Sequence, residues 1–122
     1  MSPVLIVDDD ADIREALADL LVERGFSVVT ASHGAEALTL LRFMNAPPSI
    51  ILLDIMMPVM DGYGFLAEQR LDPQLSGIPV AIITAGHSVD HARLGQSPLI
   101  LSKPINVSQL MATLRRIQRP EA

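Results

Sequence analysis

The run Ile50-Ile51-Leu52-Leu53, followed at once by Asp54, decides the fold. Its four apolar residues do not alternate with polar ones, so the segment has no face made for water. A short β-branched run of this kind reads as a strand buried on both faces, as in a parallel sheet covered by helices on either side. Three more runs share its character: Val4-Leu5-Ile6-Val7, Val80-Ala81-Ile82-Ile83 and Leu99-Ile100-Leu101. A weaker run, Ser27-Val28-Val29-Thr30-Ala31, reads as a half-exposed strand.

Between these runs the apolar period becomes helical. Ile13, Leu17, Leu20, Leu21 and Arg24 follow a spacing of three and four, and Gly25 suits the position just past a helix end. Ala35, Leu38, Leu41 and Met44 predict a second helix, ended by Pro47-Pro48. Gly62 to Asp72 predicts a third, with Phe65 and Leu66 inward and Pro73 as the stop. Val107, Leu110, Met111, Leu114 and Ile117 make the clearest stripe. Asn106 stands at its N-cap, and Arg115, Arg116 and Arg119 suit its negative end. Between Gly86 and Pro98 the pattern allows a two-turn helix over Val89–Leu94, capped by Ser88, or a loop.

The order is therefore β-α-β-α-β-α-β-(α)-β-α. Alternating units imply an α/β fold with a parallel sheet and helices on both faces. Right-handed crossovers leave few topologies, of which the flavodoxin-like, doubly wound order 2-1-3-4-5 is the most economical. The fourth helix is expected to be short or irregular. The 122 residues allow one domain, 1–122, with no linker, repeat or output module visible in the chain.

Composition narrows the function. The chain is 49% apolar and 19% charged, enough to bury a core. Nine basic against fourteen acidic residues give −5, which speaks against nucleic-acid or anionic-membrane binding, since both need a basic face. Cysteine is absent, which excludes disulfides, thiolate metal sites and a cysteine nucleophile. The start of the chain lacks the basic and long apolar regions of a signal peptide. No apolar run approaches the roughly 18 residues of a membrane span. A cytoplasmic domain is the expectation.

In an open α/β sheet, ligands bind beyond the carboxyl ends of the strands. Val7 is followed by Asp8, Asp9 and Asp10, and Leu53 by Asp54. Ile83 is followed by Thr84 and Ala85, and Leu101-Ser102 by Lys103, the only lysine. Each central strand thus delivers a polar group to one edge. Three carboxylates there would repel unless a cation lay among them. A few hard oxygen donors suit Mg²⁺. Three carboxylates, one divalent ion and one ammonium sum to zero charge. A carboxylate can also act as a phosphoryl nucleophile, and Asp54, solitary at the end of the central strand, is the candidate. Metal, Lys103 and Thr84 would steady the added oxyanion. Each residue also has a plain structural reading. Asp8–Asp12 could be an acidic first helical turn, Asp54 a turn former, and Lys103 a side chain reaching solvent.

Taken together, Val4-Leu-Ile-Val-Asp-Asp-Asp10, Leu53-Asp-Ile-Met-Met-Pro-Val-Met-Asp-Gly62, Ile83-Thr-Ala85 and Ser102-Lys-Pro104 resemble the receiver domain of response regulators in two-component signalling, over essentially the whole chain. The resemblance implies that Asp54 accepts a phosphoryl group from a histidine kinase, a phosphotransfer protein or a small phosphodonor. It implies that Asp8, Asp9, Asp54 and the backbone carbonyl of Met56 bind Mg²⁺. Thr84 and Lys103 would act on the phosphoryl group, and Ala85 would leave access to it. Pro58 and Gly62 would shape the loop, and the Lys103–Pro104 bond would be cis. A downstream protein would receive the signal, and no chemistry beyond self-phosphorylation and self-dephosphorylation is implied.

Two departures stand out. The family places an aromatic residue three positions before the lysine, where this chain has Ile100. The stretch from Thr84 to Lys103 is also short. Both touch the usual signalling surface rather than the phosphorylation chemistry. Two alternatives therefore stay open: a degenerate receiver serving as a binding module, and a phosphatase of the haloacid-dehalogenase type with Asp8 as nucleophile. His87 and His91 have helical metal spacing but no third ligand nearby, so zinc is not expected. His33 reads as a surface residue, and Met56, Met57 and Met60 as plugs beside the third helix.

Overall fold

The computed structural model describes residues 2–85, 89–94 and 99–118. Ten elements follow in order: β1 (Val4–Val7), α1 (Ala11–Glu23), β2 (Val28–Ala31), α2 (Gly34–Phe43), β3 (Ile50–Asp54), α3 (Gly62–Leu71), β4 (Val80–Thr84), α4 (His91–Leu94), β5 (Leu99–Ser102) and α5 (Val107–Gln118). The five strands form one parallel sheet in the order β2-β1-β3-β4-β5.

Alternation along the buried strands splits the core in two. Leu5, Val7, Ile51, Leu53 and Ile82 point to one face, where Ala37, Leu38 and Leu41 of α2 and Phe65 and Leu66 of α3 cover them. Val4, Ile6, Ile50, Leu52, Ala81 and Ile83 point to the other, beneath Leu17 and Leu21 of α1 and Leu110, Met111 and Leu114 of α5. Both faces are thus dry, which is why these strands carry continuous apolar runs. Every residue of β1 and β3 is buried, whereas the edge strand β2 is half-open.

The helix ends follow local chemistry. The Asp10 carboxylate caps α1 by accepting from Asp12 N and Ile13 N at 3.0 and 3.2 Å. At the other end Gly25 has φ +92°, the left-handed conformation that glycine adopts without a Cβ penalty. Gly25 N donates to Val22 O and Phe26 N to Leu21 O, which closes α1 with a Schellman motif. His33, read from sequence as a surface residue, is the N-cap of α2, where its Nδ1 accepts from Glu36 N. In α2 the residues fully buried are Gly34, Ala37, Leu38 and Leu41, whereas Ala35 and Met44 are half-buried. Asn106 caps α5 by accepting from Gln109 N at 3.0 Å. Ser88, His87 and Arg119 lie outside the described residues, and so does the His91 side chain.

Candidate functional site

The register of the sheet brings the polar strand ends together. Val7 pairs with Leu53, and Asp54 with Ile83, so Asp8, Asp54 and Thr84 leave three adjacent strands at one edge. Lys103 follows β5 directly, and its N–H donates to Thr84 O at 2.9 Å.

Asp8, Asp9 and Asp54 each place a carboxylate oxygen within 4.8 Å of the others. They are not equivalent. Asp8 and Asp54 are buried, at 1% and 5% exposure, whereas Asp9 faces solvent. The Lys103 ammonium stands 3.3 Å from Asp54 Oδ2 and 3.3 Å from Asp8 Oδ2. Toward Asp54 this is a hydrogen bond. Toward Asp8 it is an ion pair without hydrogen-bond alignment, so the buried Asp8 Oδ2 has no hydrogen-bond donor among the described residues. The second Asp54 oxygen accepts from Met56 N at 3.1 Å, and Asp8 Oδ1 accepts from Asp10 N at 2.9 Å.

Burial pushes the Asp54 carboxyl up to about 6 from 3.8, and the neighbouring Asp8 charge adds to the rise. Lys103 and the Met56 N–H oppose it without winning. For Lys103, burial works against the charged form, but the charges of Asp54 and Asp8 outweigh it and hold its pKa above the usual lysine value. A carboxylate held against its own preference beside another, with a buried oxygen to which no described group donates, is a site that a small hard divalent cation fits.

The surrounding residues hold this geometry. Gly62 closes the loop after β3, where its N–H donates to Ile55 O at 2.8 Å. A Cβ on Gly62 would lie 2.8 Å from Ile55 Cα and 3.0 Å from Asp54 O, so no larger residue fits without movement. Pro58 O accepts from Met60 N within this loop. Asp61 caps α3 by accepting from Gly64 N. Met57 and Met60 pack on the core as expected, but Met56 is 70% exposed and plugs nothing. The Lys103–Pro104 peptide is cis. Ala85 is exposed at the end of β4, and Ile100 is 41% exposed on β5. Beside Lys103 an apolar groove of about 300 Å³ runs between Ile13, Leu17 and Leu20 of α1 and Pro104, Ile105 and Val107.

Two contributors escaped the sequence reading. Arg14 Nη1 donates to Asp8 O at 2.7 Å, fixing the peptide that carries the Asp8 carboxylate. Only the spacing of six residues hints at this. Tyr63 bonds the N–H of Asp90, 27 residues away, and no local pattern signals that contact.

A sheet of this order with an acidic cluster and one lysine at its carboxyl edge defines a receiver-type signalling domain. The model of the response regulator receiver domain family matches residues 4–115, and the chain belongs to that family. It is 42% identical over 120 residues to the probable transcriptional regulator ycf27 of Guillardia theta, covering 95% of this chain and 45% of that protein. It is 40% identical over 126 residues to the transcriptional regulatory protein CpxR homolog of Haemophilus influenzae, covering 100% of this chain and 52% of that one. Among solved structures it superposes on chemotaxis protein CheY4 of Vibrio cholerae with a TM-score of 0.84 and 32% identity, covering 96% of this chain and 98% of the other. The Thermotoga maritima response regulator TrrA, solved in complex with Mg²⁺ and BeF, gives a TM-score of 0.77 at 28% identity, covering 96% and 99%. The chain is thus similar to response regulators of two-component systems.

These relatives correct one expectation. The acidic composition pointed away from nucleic acid as a partner, yet the curated relatives are regulators of transcription. This chain spans about half their length. A charge balance of −5 describes the acidic face of this stretch only and says nothing about a basic surface elsewhere in a longer protein. As for membranes, no helix among the described residues is long and apolar enough to cross one.

Proposed function

We propose that this domain is a phosphorylation switch in which Asp54 takes a phosphoryl group from a histidine kinase, a phosphotransfer protein or a small phosphodonor. The supporting observation is the placement of Lys103 Nζ 3.3 Å from both Asp54 Oδ2 and Asp8 Oδ2, at the edge where three carboxylates gather. In the transfer an Asp54 carboxylate oxygen forms a bond to phosphorus while the donor's P–N or P–O bond breaks, and the leaving group departs with the electron pair. Lys103 moves its charge from a carboxylate to the incoming oxyanion, and Thr84 lies beside it at the end of β4. Asp8 and Asp9 with Asp54, and the carbonyl of Met56, would hold Mg²⁺. When bound, that ion supplies positive charge for carboxylates and phosphoryl oxygens alike. The groove beside Lys103 offers a phosphodonor protein an apolar seat next to the acceptor. The cytoplasm, where kinases of this kind present their phosphohistidine, is the compartment this reading assigns.

Intact mass after incubation with Mg²⁺ and acetyl phosphate tests the reading. Wild type should gain one labile phosphoryl group, and Asp54→Asn should gain none. An adduct that persists in Asp54→Asn and vanishes in Asp8→Asn would assign the nucleophile to Asp8 instead.

A further inference from the structure

Helix α4 has four residues and cannot persist on its own hydrogen bonds. Helix α3 holds it. Asp90 N donates to the Tyr63 hydroxyl at 2.8 Å. The Arg93 guanidinium lies 4.3 Å from the centroid of the Tyr63 ring, a cation–π contact. Two turns along the same face of α3, Arg70 donates from Nη2 to Arg93 O at 3.2 Å and to Leu94 O, in the last residues of α4. Asp90 Oδ1 accepts from Arg93 N at the start of the turn. Beneath this polar clasp, Leu94 is buried and Val89 packs on the same core cluster.

Both sides of the clasp lead back to Asp54. Tyr63 directly follows Gly62, which is wedged against Ile55 and the Asp54 carbonyl. Asp90 lies six residues beyond Thr84, at the end of the strand that pairs with β3 opposite Asp54. The clasp therefore joins the start of α3, which follows Asp54 in the chain, to the start of α4, which follows Thr84. A phosphoryl group on Asp54 adds bulk and charge at the end of β3, where the chain leads through Gly62 to Tyr63. A hydrogen bond weakens steeply with distance and angle. A small shift of Tyr63 is therefore enough to weaken its bond to Asp90.

We propose that Tyr63 is the positioning residue that couples Asp54 to α4, its contacts with Asp90 and Arg93 opening when Asp54 is phosphorylated. This rests on Asp54 being the acceptor. It gives Tyr63 a task for which Ile100, half-exposed and aliphatic, has neither ring nor hydroxyl.

Tyr63 is the only tyrosine and tryptophan is absent, so tyrosine emission reports on this ring alone. Wild type should show an emission change on adding Mg²⁺ with acetyl phosphate, in step with the adduct followed by mass. Deuterium exchange over residues 89–94 should quicken about tenfold on phosphorylation. Arg93→Ala should rest near the phosphorylated emission level and change little further, while still gaining the adduct. Arg93→Lys, which keeps a cation over the ring, should restore the response. If the adduct forms on Asp54 while wild-type emission and exchange stay flat, or if Arg93→Ala responds as wild type does, the coupling is overturned and the acceptor assignment stands. If no adduct forms, both fall.

Discussion

The Lys103 ammonium stands 3.3 Å from Asp54 Oδ2 and is the cation facing a carboxyl that burial has already pushed up to about 6. Removing it leaves Asp54 and the buried Asp8 opposed without the ammonium that faces both. Lys103→Met should therefore cost about 1–3 kcal/mol at pH 7 without divalent cations. The loss should shrink toward pH 5, where Asp54 takes up a proton, and Mg²⁺ should recover part of it. Urea unfolding at both pH values, with and without Mg²⁺, measures this.

The pH dependence has a definite sign. Asp54 titrates near 6 in the folded protein against 3.8 as its ordinary value, so between these values the folded state binds more protons. Its contribution to stability thus falls as pH rises from about 4 to 6. Lys103 has the same sign at higher pH, its raised pKa giving stability that is complete below the ordinary value of 10.5 and lost as pH climbs past it. Without metal, wild type should lose melting temperature from pH 4.5 to 6.5 relative to Asp54→Asn. The gain on adding Mg²⁺ should grow over the same range. Equal slopes for the two proteins would contradict this.

Asp8, Asp9 and Asp10 are neighbours in sequence with different tasks. Asp10 caps α1, whereas Asp8 and Asp9 join the acidic cluster. Asp10→Ala should cost about 1 kcal/mol in urea unfolding and leave phosphorylation by acetyl phosphate intact. Asp9→Ala should do the reverse, sparing stability and slowing adduct formation.

Glycines give a paired control. A methyl at Gly62 would press on Ile55 and the Asp54 carbonyl, so Gly62→Ala should cost about 1–3 kcal/mol. A methyl at Gly77 meets nothing within 4 Å, and φ there is not in the left-handed region. Gly77→Ala should be neutral or gain about 0.4–1 kcal/mol. Denaturant midpoints compare the two directly.

Gln69 is buried on α3, and its Nε2 donates to Leu75 O and Ile78 O, which pins the connection to β4. Gln69→Leu would leave both carbonyls without that donor. It should lower stability by about 2–3 kcal/mol in urea unfolding.

Much of this was legible in the chain itself. Runs such as Ile50–Leu53 announce strands dry on both faces, and the parallel register then carries Asp8, Asp54 and Thr84 to one edge. The unequal exposure of Asp8 and Asp9 was not legible, because it depends on how α1 leaves β1. Nor was the place of Met56 outside the core, which the turn at Gly62 decides. Contacts such as Tyr63 with Asp90 arise only when α3 and α4 pack, and residues 27 apart leave no period to read. The nucleic-acid expectation failed for another reason: composition describes a surface, not the rest of the machine it serves.

The most direct measurement is the site of the phosphoryl group. Borohydride reduces an aspartyl phosphate to homoserine, and peptide sequencing of the reduced protein locates the residue. Homoserine is expected at position 54 and nowhere else after Mg²⁺ and acetyl phosphate. Homoserine at position 8 or 9, or none in a protein whose Asp54 carboxylate is intact, would contradict it.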